Sequence, residues 1–310
     1  MPISPAWVAL CLVEHLGAKK LRALVTHFGR DLNAILAADE RELRRVPGIG
    51  VKIAAGITSI DVRAAAESLA RWEAAGVALI TLVDPAYPAR LRRIDDAPPI
   101  LFVRGDLNAG LRPGARPAAI VGTRQPAPDA LLTAKRIAYG LGQRGWDIVS
   151  GMALGIDAGG HMGALAANAG TVAVLGSGVL TPYPPENRPL ADAIRERGAL
   201  IGEVSPEANP SRTHLVARNR LISGLSDAVI VVQTEADGGA MHAARRAFQQ
   251  GRRVFTLDMD VTGNRLLAQE GAVMLPDADA LIEAVNALEM VEDAFAEDWQ
   301  EFVQLPLLGT

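Results

Sequence analysis

Six short apolar runs, AAIVG, WDIVSG, TVAVLG, ALIGEV, DAVIVV and RRVFTLD, follow one another from Arg116 onward, with helical stretches such as DALLTAKRIAYGLGQRG and GGAMHAARRAFQQG between them. The runs are continuously apolar, as strands of a parallel sheet covered on both faces must be. Strand and helix in turn define an α/β chain, and the fold expected is an open, Rossmann-like, doubly wound, mostly parallel sheet. Ligands of such a sheet sit beyond the carboxyl ends of its strands.

A small all-helical domain is expected ahead of it, over residues 1–75. Apolar residues recur at helical spacing in WVALCLVEHLG, KKLRALVTHFG and DLNAILAA, with Gly17 and Gly29 where helices would stop. In LRRVPGIGVKIAAGI, Pro47, Gly48, Ile49 and Gly50 make a tight turn between two short helices. This is a SAM-like or helix-hairpin-helix-like unit, whose turn either meets a DNA phosphate or only packs the domain. Residues 76–115 read as a connecting unit joined to the main domain, with VALITLVD and ILFVRGD as short strands. The main domain spans 116–276. Residues 277–310 read as an acidic helix, LIEAVNALEMVEDAFAEDWQEFV, and a tail.

No apolar run is long enough to span a bilayer, and MPISPAWVAL lacks the basic region of a secretory signal. Cys11 is the only cysteine, which excludes intramolecular disulfides and Cys-based zinc clusters and makes the cytoplasm the expected compartment. The 31 Lys and Arg against 35 Asp and Glu give a net charge of −4, yet nine of the acidic residues and none of the basic ones fall in 277–310. The remainder carries 31 basic against 26 acidic residues, a segregation that suits a polyanion partner and equally a solvated acidic end. No strand is followed by GxGxxG with an acidic residue about 20 positions on, and GxxxxGK[ST] is absent. His15, His27, His161, His214 and His242 have no metal-ligand spacing, so neither metal nor cofactor is expected. His161 reads as a capping or packing residue.

Four strand ends should meet at one edge. Gly122, Thr123 and Arg124 close the first. Ser150, Gly151, Ala153, Gly155, Ile156 and Asp157 form a small-residue loop after WDIV, where backbone N–H groups can dock an anion. Gly176, Ser177 and Gly178 end the third, and Gly238 and Gly239 precede a helix after the fourth. Four such ends favour a groove over a single nucleotide pocket. A basic block lies in NPSRTHLVARNRLISGLS, with Arg212, His214, Arg218, Asn219 and Arg220; Leu215, Leu221, Ile222 and Leu225 should turn inward and gather the basic groups at the surface.

The blocks IVGTR, SGMALGIDAGGHMGAL, YPPEN, ARNRLISGLSDAVIVVQTEA and AFQQGRRVF, in this order and spacing, resemble the DNA-processing protein A (DprA, or Smf) family. The resemblance covers about residues 77–272. It implies a single-stranded-DNA-binding protein that protects incoming DNA and loads the recombinase RecA in natural transformation, self-associating as a homodimer. By the same resemblance Arg124 holds a phosphate, 150–157 is the family's small-residue loop, Arg218, Asn219 and Arg220 are its Arg-Asn-Arg block, and Arg245 is the arginine on the helix after the Gly pair. Leu154 departs from the family's usual arginine and Leu215 from its frequent aromatic, leaving His214 or an aliphatic contact in place of base stacking; Arg212 supplies the basic residue expected three positions earlier. The family often carries a carboxyl-terminal winged-helix domain, for which the 30 or so residues after Leu281 are too few. The enzymatic alternative is a nucleotide phosphoribohydrolase of the lysine-decarboxylase-like group, which also has a Gly pair before a helix but places a catalytic Glu just after it; here AMHAARRAF holds no carboxylate. A binder of a small phosphate ligand is a further alternative.

Overall fold

The structure, a computed structural model, describes residues 4–289. Its first compact unit, Met1–Leu101, starts with six helices, α1 (Pro5–Cys11), α2 (Ala18–His27), α3 (Leu32–Ala37), α4 (Glu40–Leu43), α5 (Val51–Thr58) and α6 (Val62–Ala74). Asp31, Asp39 and Asp61 cap α3, α4 and α6 by accepting first-turn amides, so short helices start where the sequence supplies a carboxylate. The Pro47–Gly50 turn joins α4 to α5 as expected. Strand β1 (Ala78–Thr81) and helix α7 (Ala89–Arg92) follow, and the Leu82 N–H donates to Pro99 O (2.9 Å) beside the start of β2 (Ile100–Gly105). The division between the units falls inside β2, so residues 76–101 lie in the helical unit.

From Phe102 onward a second unit forms around a sheet. After α8 (Leu107–Gly110) the chain runs β3 (Arg116–Val121), α9 (Pro128–Gly142), β4 (Trp146–Ser150), α10 (Ile156–Ala166) and β5 (Thr171–Val174). It continues through α11 (Arg188–Arg197), β6 (Ala199–Gly202), α12 (Arg212–Ala217), α13 (Asn219–Gly224), β7 (Ala228–Val231), α14 (Gly239–Gln249), β8 (Arg253–Leu257), α15 (Thr262–Gln269), β9 (Val273–Leu275) and α16 (Ala278–Asn286). From β2 the strand order is β2-β6-β5-β4-β3-β7-β8-β9. Only β2 against β6 is antiparallel among the pairings from β2 to β9. All six apolar runs are strands of this sheet; β9 is an addition that the sequence reading missed. Of the acidic carboxyl segment, α16 is described, and the rest of the expected helix lies outside the described residues.

Both alternating sets of strand side chains are buried, Ala118 and Ile120 as fully as Ala119 and Val121, so helices cover both faces. One core joins Ile120, Ile148, Ile230 and Phe255 to α9, α10 and α16 through Ile137, Leu141, Ile156 and Leu281. Successive strands step away from β3 in one direction as β4, β5 and β6, and in the other as β7, β8 and β9. The switch point therefore lies between β3 and β7, where doubly wound sheets open a crevice.

Candidate nucleic-acid interface

The strand order sets β5, β4, β3 and β7 side by side, with the same direction, so the four expected ends share one edge. Across the switch point the Thr123 N–H donates to Gln233 O (2.7 Å), and Gln233 Oε1 accepts the Ala127 N–H (3.0 Å). Asn264, wholly buried, holds the β7 end from below: its Oδ1 accepts the Thr234 N–H (3.0 Å), and its Nδ2 donates to Val232 O (2.9 Å) and Leu257 O (3.0 Å).

The loop after β4 does not offer the anion seat that its composition suggested. The Asp157 carboxylate, from the first turn of α10, already accepts the N–H groups of Gly151 (3.2 Å), Ala153 (3.4 Å) and Gly122. The loop is closed on an anion of its own, and burial raises that carboxyl above its ordinary value while Arg218 and the three amides pull it down. What remains open is the tip. The Leu154 and Gly155 N–H groups meet no acceptor among the described residues, and Leu154 is 38% exposed. Gly155 has φ +79°, and its backbone lies against Thr123 and Arg124, where a Cβ would collide with Thr123 O. The tip is thus held beside Arg124; Ile156 adds a bond from its N–H to Thr123 O (3.2 Å) and buries its side chain under Gly122.

The five arginines of the expected groove fall into three conditions. Arg124 and Arg212 are exposed and have no acidic partner among the described residues. Arg220 makes a forked pair with Glu203 (2.6 and 2.5 Å), and Arg245 with Glu270 (3.2 and 2.8 Å). Arg218 is buried, which corrects the expectation that the basic block gathers at the surface. Its guanidinium donates to Gly151 O, Val174 O and Asn219 Oδ1 (3.3 Å) and stands 4.0 Å from Asp157. The reason is helical spacing: Arg218 lies three residues before Leu221 and four before Ile222, both buried on α13, whereas Leu215, expected inward, is only half-buried on α12.

The other expected residues divide in the same way. The Ser150 hydroxyl donates to Ile120 O (2.5 Å) and ties β4 to β3. Ser177 is buried, and Gly176 packs against Leu215 and His214, which brings α12 to the β5 end. Asn219 is buried and reaches Gly239 O (3.5 Å) at the start of α14. Gly238 caps α14, and Gly239 is exposed with open space around it. His161 packs as expected, its Nδ1 2.7 Å from the Thr171 hydroxyl. Thr171 donates in turn to Ile148 O (2.9 Å), so His161 carries its proton on Nδ1. Asn187, in the YPPEN block but given no role from sequence, donates to Met152 O (2.9 Å) and steadies a buried residue at φ +59°. Gln233 and Asn264 were missed too, since nothing local distinguishes them. Among the described residues no cluster of His, Cys, Asp and Glu could hold a metal, and no helix is long and apolar enough to cross a membrane.

Comparison with known proteins gives the family and the fold. Residues 78–286 match the family model for DNA recombination-mediator protein A, and residues 9–59 match that for a SAM-like helix-hairpin-helix tandem. The DNA processing protein DprA of Bacillus subtilis is 36% identical over 220 residues, covering 69% of this chain and 73% of that protein. Protein Smf of Synechocystis is 32% identical over 293 residues, covering 92% and 73%. The structure of DNA processing protein A from Streptococcus pneumoniae matches with a TM-score of 0.78 at 25% identity, over 94% of this chain and 100% of that one. That of DNA processing protein A from Helicobacter pylori, described for its single-stranded DNA binding mode, matches with a TM-score of 0.61 at 27% identity, over 67% and 95%.

Proposed function

This chain belongs to the DNA recombination-mediator protein A family, and from that premise we propose that it binds single-stranded DNA along the carboxyl edge of its sheet, as a binder and not an enzyme. The observation that carries the reading is the pairing of Arg124 and Arg212, exposed and without a carboxylate partner, with the open amides of Leu154 and Gly155. Guanidinium groups and amides of this kind take phosphate oxygens irrespective of base. Leu154, Leu215 and His214 offer apolar and imidazole contact to bases in place of an aromatic platform. Arg220 and Arg245 are balanced by Glu203 and Glu270 and add less charge to the edge than their number suggests. Against the phosphoribohydrolase alternative, α14 carries no carboxylate, and Glu235 ahead of it accepts the Thr262 hydroxyl (2.7 Å).

The same reading places the protein in the cytoplasm, in DNA processing during transformation, where it self-associates as a homodimer and hands the strand to RecA. Titration of labelled single-stranded and duplex oligonucleotides at two salt concentrations tests it. Single strands should bind more tightly, with affinity falling steeply as salt rises. Arg124→Ala should weaken single-strand binding about tenfold and leave folding untouched. Unchanged affinity in that variant removes Arg124 from the site, and release of free base from nucleoside monophosphates overturns the binder reading. Sedimentation of a strict monomer, with and without DNA, counts against the dimer.

A further inference from the structure

Arg218 touches both walls of the β4 loop from inside. Gly151 follows β4 and Val174 ends β5, and one guanidinium donates to the carbonyls of both. Its side chain and that of Asp157 are each 6% exposed. Gly151 has no room for a Cβ because the guanidinium occupies that space. Asp157 in turn gathers the amides of Gly151, Ala153 and Gly122, the last at the β3 end. Three neighbouring strand ends are therefore joined through one buried pair, directly beneath the tip that carries Leu154 and Gly155 and beside the Thr123–Arg124 backbone. Nη1 alone donates to both carbonyls, while Nε reaches Asn219 Oδ1 and Nη2 faces Asp157, a planar spread of donors that a lysine cannot reproduce.

We propose that Arg218 is a positioning residue for the single-strand edge: it sets the β4 and β5 loops so that Arg124 and the open tip amides face one phosphate run, and it makes no phosphate contact itself. This rests on the single-stranded DNA reading above.

The two roles separate in whether the losses and the salt slopes of the two variants add. A lost phosphate contact makes the slope of log affinity against log salt shallower by about 0.7 for single strands. We would measure binding of a fluorescein-labelled oligo-dT, well below the melting temperature, for the unaltered protein, Arg124→Ala, Arg218→Gln and the two combined. Arg218→Gln should weaken binding about tenfold with the slope shallower by about 0.7, the one contact of Arg124, and adding Arg124→Ala should make it no shallower. Arg124→Ala should cost about tenfold alone and under about threefold in the Arg218→Gln background, because the contact it removes is already misplaced. Should Arg218→Gln fail to fold, Arg218→Gln with Asp157→Asn removes both buried charges together and carries the same readout. Additive losses, with the slope of the doubly altered protein shallower by about 1.4, make Arg218 a phosphate ligand and overturn the proposal. Full affinity in a folded Arg218 variant reduces it to a scaffold residue and overturns it equally. Absence of oligo-dT binding by the unaltered protein sinks the single-strand reading instead.

Discussion

The two ends of β4 carry the same three components, arranged oppositely. At the amino end Asp147 accepts the Arg112 N–H and Nε (both 2.6 Å) and the Gly170 N–H (3.0 Å). Carboxylate and guanidinium are in direct contact there, and the Arg112 side chain is 37% exposed. At the carboxyl end Asp157 also collects backbone amides, but Arg218 stands 4.0 Å off and gives its donors to carbonyls of two strand ends. Burial raises both carboxyls above their ordinary value, and in each case the arginine and the amides oppose it. The amino-end pair is a local clasp whose guanidinium reaches water although its carboxylate, 1% exposed, does not. The carboxyl-end pair has no water to fall back on, and its charges are held apart by what they hold in place, which suits the edge that must present loops to a ligand.

The largest test of this contrast is Arg218→Ala. It strands Asp157 as a buried charge and leaves two carbonyls without their donor, and breaking a buried pair from one side costs about 3–5 kcal/mol. Urea unfolding should show the midpoint fall with the slope unchanged. A loss below about 1 kcal/mol would place Arg218 with exposed pairs and dissolve the distinction between the two ends.

A smaller effect comes from His161, buried within α10, which feels the Arg218 charge. Burial, and then Arg218, lower its pKa from 6.5 to about 3. The folded protein thus keeps this imidazole neutral while the unfolded chain takes up a proton below 6.5. The unfolded state binds more protons between the two values, so stability rises with pH across that window: the contribution is fully present above 6.5 and is lost as pH falls toward 3. From pH 7 to pH 5 the loss is about 2 kcal/mol. It should appear as a steeper fall in melting temperature for the unaltered protein than for His161→Gln, and equal falls would show that the group is not held neutral.

Sequence alone reached the strands because six of them are apolar runs long enough to stand out, and it passed over β9 because Val273–Leu275 is three residues long and only partly buried. Pairing of β2 with β6, antiparallel beside a parallel sheet, leaves no local trace. At the edge, Arg124 and the glycine loops were legible since strand-end chemistry is local. The pairs of Arg220 with Glu203 and Arg245 with Glu270 join residues 17 and 25 positions apart and were not. Arg218 was misread for a different reason: its place three and four residues before Leu221 and Ile222 is visible in the spacing, but a basic residue among basic neighbours invites a surface assignment. Asp157 was misread in the same sense, as a marker of an open anion seat when it is the anion.

The smallest effect on binding belongs to the other end. Arg112→Ala removes a partly exposed guanidinium from Asp147, yet the Arg112 N–H survives the substitution because it is backbone, and Gly170 still donates. The carboxylate keeps two of its charge-stabilising bonds, and water can enter where the side chain stood. The Asp147 side chain is itself 1% exposed, so the loss exceeds the about 1 kcal/mol of an exposed pair, while the two surviving amide bonds keep it below the about 3–5 kcal/mol of a buried pair broken from one side. Oligo-dT affinity and its salt slope should not move, because nothing at this end reaches the strand-end loops. If Arg112→Ala unfolds the protein as readily as Arg218→Ala, the clasp is not local. β4 then transmits the loss along its length, and the two ends must be treated as one cooperative element.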